Sequence, residues 1–222
     1  MVRIVAFVAA LLIPASALAQ VNITVHNTGV NTSDVLVSPG AQTSYWTLQS
    51  APAGATEVVG QNAFRYFVPG SYAPDSSTSA WVSTAASGNA SVSGIFVYQL
   101  LVDLSGVDPA AAVITGQFAT DNEGFIRVNG GANAATSSFA GFGALTNFTL
   151  NSGFVAGINS IQVGVNNAGN PTAFRVQFSS ATASPIPVPT MPEWFLLILA
   201  LILMSAVVIM LRRRTGTALG PA

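Results

Sequence analysis

Residues 96–104 read Phe-Val-Tyr-Gln-Leu-Leu-Val-Asp-Leu, and this stretch decides the fold. Every second residue from Phe96 to Leu104 is a large apolar one, and the residues between them include Gln99 and Asp103. Side chains of a β-strand point alternately to opposite faces, so this pattern predicts a strand with one buried face. No segment before the C-terminal apolar run sustains a 3.6-residue period, which is typical of an all-β chain.

The same alternation recurs on both sides of this stretch. Further strands are predicted at Val21–Val25, at Tyr45–Gln49, from Gly94 onward, from Phe125 to Asn129, at Ile161–Val165 and at Phe174–Phe178. Turns rich in Gly, Asn and Ser separate them, at 105–106, 121–124, 129–131, 151–153 and 166–171. Many short strands joined by such turns predict an antiparallel β-sandwich or jelly roll.

Charge is scarce in this chain and excludes several classes of function. Charged residues make up 7% of the 222 residues, against about 25% in a typical soluble domain. The net charge of −1 and the lack of a basic patch exclude a nucleic-acid partner. The absence of cysteine excludes thiol nucleophiles, disulfide scaffolds and cysteine-ligated zinc, and the single histidine, His26, excludes a histidine-rich metal site.

The N-terminus has the pattern of a secretory signal peptide. Arg3 precedes an apolar run, Ile4–Ile13, and Ala17 and Ala19 form an A-x-A cleavage site. Cleavage there makes Gln20 the first residue of the mature chain. The sequence therefore predicts an exported protein, delivered by the export machinery.

A second apolar run, Trp194–Leu211, ends at three arginines, Arg212, Arg213 and Arg214. Eighteen residues of helix cover about 27 Å, which is enough for a hydrocarbon core of roughly 30 Å. Positive charge stays on the cytoplasmic side, so the run is predicted to anchor the chain in the inner membrane with its body outside.

The residues before this run add a motif, Val188-Pro189-Thr190-Met191-Pro192-Glu193-Trp194. A Pro-Thr motif, a Trp, one span and an arginine cluster in this order resemble the IPTL-CTERM sorting signal, a relative of the PEP-CTERM signal of Gram-negative bacteria. The resemblance implies recognition by an exosortase-type membrane protease, with Val188 and Met191 in place of the family's usual isoleucine and leucine. An ordinary single-pass anchor is the alternative.

These patterns divide the chain into five parts. They are a signal peptide (1–19), a β ectodomain (20–183), a Pro-rich stalk with the sorting motif (184–193), a transmembrane helix (194–211) and a cytoplasmic basic tail (212–222). The ectodomain carries seven acidic residues and three arginines, a net charge of −4. Its surface is therefore expected to be neutral and hydrogen-bonding, which favours contact with neutral polar polymers.

Several short motifs of the ectodomain occur in an order that is similar to a jelly-roll domain of many exosortase-sorted proteins, itself akin to galactose-binding-like domains. The motifs are Asn27–Val30, Tyr45–Leu48, Ser79–Ser83, Ala119–Asn122, Val128–Gly130 and Gly153–Asn159. The resemblance implies a jelly-roll fold in a carbohydrate-rich setting. It carries over no catalytic residues.

Asp121, Asn122 and Glu123 form the densest group of oxygen ligands in the body. One hypothesis is a calcium site, which needs six to eight oxygens. The other is a hairpin turn, in which Asp and Asn bind their own backbone. A glycosidase pair needs two carboxylates from different strands of a cleft, and no G-x-S-x-G motif is present, so no enzyme is predicted.

Exposed aromatic rings are the remaining candidates for ligand binding. Trp46, Tyr66 and Tyr72 are candidates for stacking on sugar rings, with core packing as the alternative, and Tyr66 and Tyr72 are expected to be exposed. Trp81 is expected in the core. Each body arginine (65, 127, 175) is expected to pair with an acid.

Two functional hypotheses follow. The first is a non-enzymatic protein of the cell surface or extracellular matrix, processed through its C-terminal sorting signal. The alternative is a carbohydrate-binding module, with or without calcium, that binds extracellular polysaccharide.

Overall fold

The structure is a computed structural model that describes residues 20–186 and 191–216. Its contacts divide the chain into two units, one ending at Pro185 and the other beginning at Ile186. The first unit is built from antiparallel strands, and the second contains one helix. The all-β prediction is confirmed, while the predicted signal peptide and the motif residues 188–190 lie outside the described residues.

Eleven strands and two short 3₁₀ helices make up the β domain (residues 20–186). The strands are β1 (Val21–Asn22), β2 (Gln42–Ser50), β3 (Asn62–Arg65), β4 (Val82–Ser83), β5 (Gly94–Asp103), β6 (Val113–Asp121), β7 (Gly124–Val128), β8 (Asn133–Ser137), β9 (Thr146–Leu150), β10 (Ile158–Asn167) and β11 (Ala173–Ala183). The 3₁₀ helices span Pro109–Ala111 and Gly141–Gly143.

The strands form one antiparallel sheet in the order β8-β7-β10-β5-β2-β3-β4-β11-β6-β9, with β1 on β11. The sheet folds over so that its two end strands, β8 and β9, lie against each other without a shared ladder. The ring of Tyr98 on β5 lies 4.5 Å from that of Phe174 on β11. Two faces of the sheet therefore pack across one core, as in a β-sandwich.

The alternation of residues 96–104 is realised on β5. Phe96, Tyr98 and Leu100 are buried, whereas Ile95 and Leu101 are exposed on the opposite face. Strand β5 pairs along its whole length with β10, from Gly94 opposite Asn167 to Asp103 opposite Ile158. Each fully buried large apolar side chain contributes about 1.5–3 kcal/mol, so this face holds the two halves together.

The first predicted strand is shorter than expected. β1 ends at Asn22, and the chain then follows β11 irregularly, with hydrogen bonds from Ile23 N to Ala181 O (2.9 Å) and from Thr28 N to Val176 O (3.2 Å). These two bonds keep the register of the β1–β11 pairing, but the backbone between them makes no continuous ladder.

The β domain contains a complete core. Among the described residues, every buried hydrophobic side chain lies between Ile23 and Ala183. The first strand pairs with the last, with Val21 opposite Ala183. Since both ends of the segment are tied to one sheet and its core needs nothing from the helix, the β domain is expected to fold on its own.

The second unit contains helix α1 (Met191–Gly216), whose bounds differ from the predicted span and stalk. The helix starts three residues before Trp194, so residues 191–193 are helical and not part of an extended stalk. Residues Phe195–Arg212 have a mean hydropathy of 2.8 and are exposed, so this helix is long and apolar enough to cross a membrane.

Candidate functional site: the Asp121–Glu123 turn and the outer sheet face

The Asp121–Glu123 group lies in a turn, but the turn is not a hairpin. β6 ends at Asp121 and β7 begins at Gly124. β6 pairs with β9 and β11, whereas β7 pairs with β8 and β10. The turn therefore carries the chain from one half of the sandwich to the other. The hairpin prediction was therefore wrong. A period-2 pattern predicts where the two strands lie, but it does not predict which strands they pair with.

Asp121 points into a small cluster of buried residues. This cluster consists of Tyr72, Ala73, Trp81, Ala119 and Ala173. The Tyr72 hydroxyl donates to Oδ2 of Asp121, and Asn122 Nδ2 donates to Oδ1 at 3.0 Å. The residue is only 4% exposed. Both carboxylate oxygens are thus satisfied inside the protein, as a buried acid requires.

Burial and hydrogen bonding shift the titration of this pair. Burial raises the pKa of the Asp121 carboxyl above its usual value, and the hydrogen bond from Tyr72 partly opposes that rise. Burial also raises the pKa of Tyr72, as do its hydrogen bond and the charge of Asp121. The proton between the two groups therefore stays on the tyrosine, which makes Asp121 an acceptor.

Two of the three predicted sugar-stacking rings are not available. Tyr72 is buried, so the expectation that it is exposed was wrong. Trp46 is 0% exposed; its ring lies 5.5 Å from Phe174, and its Nε1 donates to His26 O at 3.0 Å. Both rings can be buried because the polar atom of each makes a hydrogen bond inside the protein.

Tyr66 keeps part of its surface. Its ring makes an edge contact with Tyr72, with 6.4 Å between centroids, and a Cβ on Gly88 would lie 2.4 Å from a ring carbon. Burial and the charge of Asp121 raise the pKa of Tyr66. One half-buried ring does not make the stacking platform that three aromatic residues in the sequence suggest. Trp81 lies in the core, as predicted.

Glu123 belongs to a different environment from Asp121. Asn166 on β10 donates from Nδ2 to Oε1 of Glu123 at 3.0 Å, and its backbone N donates to Glu123 O at 2.8 Å. No described residue donates to Oε2. Among residues 20–186 and 191–216, no three His, Cys, Asp or Glu side chains form a group suited to a metal. Tyr72 and Asn122 each donate to one Asp121 oxygen, so a calcium ion at this turn would have to displace those hydrogen bonds.

The outer face of β7 and β10 continues from Glu123. Arg127 Nε donates to Gln162 Oε1 at 2.8 Å, and its guanidinium carbon lies 4.8 Å from the centre of the Phe125 ring. Phe125 lies against Gly164, where an added Cβ would come within 2.2 Å of a ring carbon. The missing side chain of Gly164 is what lets the ring lie on the strand.

A cavity of about 260 Å³ lies beside this ring. Its lining includes Ile95, Glu123, Phe125, Asn133, Thr136 and Asn166. The sequence predicts that Phe125, Arg127 and Asn129 share a face. It does not predict the approach of Asn166, because the register between β7 and β10 is a long-range property.

The arginine prediction is confirmed only for Arg65, which pairs with Asp75 at 3.1 Å. Arg127 binds an amide oxygen instead. Arg175 is buried and donates to Ser79 Oγ at 2.8 Å, to Gln177 Oε1 at 2.9 Å and to Pro74 O. Neutral acceptors replace carboxylates here, in keeping with the low charge of the chain.

The two carboxylates of the turn therefore differ in chemistry. Asp121 is buried and serves the packing of the small cluster, whereas Glu123 has an acceptor oxygen left for a partner at the outer face.

Comparisons of this chain with protein-family models, with curated proteins and with solved structures each return no match.

Proposed function

We propose that this chain is an exported, non-enzymatic protein of the cell surface or extracellular matrix. Helix α1 holds it in the inner membrane, with the β domain outside, until an exosortase-type protease processes the C-terminal sorting signal. The observation that carries the proposal is the 18-residue apolar segment Phe195–Arg212, none of which is buried in the protein.

The helix meets the physical needs of a membrane span. At 1.5 Å per residue, Phe195–Arg212 covers about 27 Å of hydrocarbon. Its one polar side chain before the arginines, Ser205, donates to Leu201 O at 2.7 Å, so no hydroxyl is left unbonded in lipid. Exposed apolar surface of this extent has no role in water, and a bilayer covers it.

The β domain supports a role outside the cell that does not depend on catalysis. Its only described acid with a raised pKa, Asp121, is bonded to Tyr72 and Asn122 inside the protein. Its fold closes without disulfides because the core between Ile23 and Ala183 is large. A stable, weakly charged body on a membrane anchor suits display among neutral polymers.

The test is to determine both ends of the protein isolated from its own cells by mass spectrometry. The proposal expects a chain that begins at Gln20 and lacks the peptide 194–211. A cytoplasmic chain that begins at Met1 would overturn export, and a chain that begins at Gln20 but retains 194–211 would replace sorting by simple anchoring.

Two variants sharpen this test. Replacing Arg212, Arg213 and Arg214 together by glutamine keeps the apolar segment but removes the basic cluster, so unprocessed precursor is expected to accumulate. Arg127→Gln changes an arginine of the β domain and is the matched control. Equal processing of both variants would remove the arginine cluster from the proposed signal.

A further inference from the structure

The cavity between β5, β7 and β10 has one apolar and one polar wall. Ile95 and Phe125 form the apolar wall, and the polar one combines Glu123 and Asn166 with Asn133, Thr136 and Ser137 of β8. We propose that this Phe125 cavity binds one neutral hexose unit of an extracellular polysaccharide. The site goes beyond surface display, and it differs from the aromatic residues at which the sequence suggests sugar stacking.

The polar wall offers acceptors that the protein does not use. Asn166 Nδ2 donates to Glu123 Oε1 at 3.0 Å, which fixes the carboxylate in place. Neither Glu123 Oε2 nor Asn166 Oδ1 receives a hydrogen bond from the described residues. Two adjacent oxygen acceptors match two neighbouring hydroxyl donors of a sugar ring, and the bond to the charged carboxylate is the stronger one.

The apolar wall is held rigid before a ligand arrives. Phe125 lies against the backbone of Gly164, and the guanidinium of Arg127 lies 4.8 Å from its ring centre. Gln162 in turn holds Arg127 through a 2.8 Å hydrogen bond. Because these side chains are already ordered, packing the C–H face of a sugar against the ring edge and Ile95 costs little conformational entropy.

The backbone around the polar wall is equally fixed. Asn122 Oδ1 accepts from Ala168 N at 2.9 Å, and Thr172 Oγ1 donates to Asp121 O at 3.2 Å. These bonds join the β6–β7 turn to the β10–β11 connection. Glu123 therefore sits on a braced turn, which is what a site of defined geometry needs.

Size and charge select the ligand. The volume of about 260 Å³ is below the roughly 300 Å³ at which pockets for drug-sized ligands begin, so the cavity suits a single sugar ring. The Glu123 carboxylate and the net charge of −4 of the ectodomain repel anionic sugars. Arg127 is not among the residues that line the cavity, since its guanidinium is held over the Phe125 ring and by Gln162.

The test is isothermal titration of the purified β domain, residues 20–186, with galactose, glucose, mannose and their neutral polymers, and with galacturonate. This experiment does not involve export or processing, so its failure and that of the proposed function are distinguishable. Saturable binding of at least one neutral sugar, and weaker binding of galacturonate than of galactose, are expected. No saturable binding to any neutral sugar or polymer, or tighter binding of galacturonate, would overturn the proposal.

Four variants locate the site. Glu123→Gln keeps the volume but loses the charged acceptor, and Phe125→Ala removes the apolar wall; each is expected to weaken binding about tenfold or more. Phe67→Ala removes a ring that is 76% exposed elsewhere and is the matched control. Equal losses in Phe67→Ala, no loss in Glu123→Gln, or loss only in Tyr66→Ala would each refute the assignment. Thermal unfolding confirms that each variant folds, and the isosteric Glu123→Gln decides the matter if Phe125→Ala does not fold.

Discussion

Replacing Trp46 by alanine is expected to lower the free energy of unfolding of the β domain by about 4 kcal/mol. Trp46 has no exposed surface, and its ring contacts Phe174 and Phe178 at centroid distances of 5.5 and 6.4 Å. Truncation to alanine removes those contacts and leaves a cavity between the two faces of the sandwich. It also leaves the carbonyl of His26, which accepts from Trp46 Nε1 at 3.0 Å, without its donor.

The magnitude follows from these contacts. Large-to-small changes at buried tryptophan and phenylalanine cost about 3–5 kcal/mol, and the full burial of Trp46 places it within that range. For a domain of this size, 1 kcal/mol shifts Tm by about 2–4 °C, so a fall of about 8–16 °C is expected. Trp46→Phe keeps most of the ring and loses the hydrogen bond, for a cost of about 1–2 kcal/mol.

The measurement is urea unfolding of residues 20–186, followed by far-UV circular dichroism because the substitution removes a fluorescent residue. Phe67→Ala, at a position 76% exposed, is the control and is expected to change stability by less than about 0.5 kcal/mol. A loss below about 1 kcal/mol for Trp46→Ala, at an unchanged denaturant slope, would refute the buried position. Trp46 would then again be a candidate for an exposed ring that stacks on sugars.

The turn and the cavity give three more expectations. Burial raises the folded-state pKa of Asp121, so the folded state holds this proton more tightly and loses stability as the pH rises from the unfolded pKa of about 4 to the folded one. In urea unfolding, the stability of the wild type minus that of Asp121→Asn is therefore expected to be larger at acidic than at neutral pH, and a flat difference would contradict this. Millimolar calcium is expected to leave Tm unchanged because Tyr72 and Asn122 occupy the Asp121 oxygens; a saturable rise that Asp121→Asn abolishes would place the ion there. Gly164→Ala brings a methyl carbon to within 2.2 Å of the Phe125 ring and displaces it, so calorimetry should find sugar binding weakened as in Phe125→Ala, not unchanged.

Most strands of this chain could be predicted from the sequence, because a half-buried strand has apolar residues at every second position. The alternation from Phe96 to Leu104 predicted both the strand and its buried face, and the outward direction of Phe125 follows from the same rule. The sequence pattern does not predict which strands pair. The contact between Glu123 and Asn166 joins residues 43 apart in sequence, so no local pattern predicts it.

The aromatic residues illustrate a second limit. Tyr72 lies in a Ser-rich segment, which suggests an exposed loop, and Trp46 lies in the predicted strand Tyr45–Gln49; both are buried. Their burial is stable because each polar atom finds a partner far along the chain: Trp46 Nε1 at His26 O, and the Tyr72 hydroxyl at Asp121. Local composition reports which residues are polar, and only the fold reports whether their hydrogen bonds can be satisfied inside.

The scarcity of charge links the fold to the proposed site. A chain with 7% charged residues has few ion pairs with which to fix its loops, and here amides and hydroxyls do that work. Asn122 and Thr172 fasten the β6–β7 turn to the β10–β11 connection, and Asn166 fastens it to the end of β10. Only Oε1 of the Glu123 carboxylate takes part in these bonds, and Oε2 accepts no hydrogen bond from the described residues. A carboxylate that is held in place but only partly bonded, in a surface with few competing charges, is an acceptor suited to the hydroxyl groups of a neutral polymer.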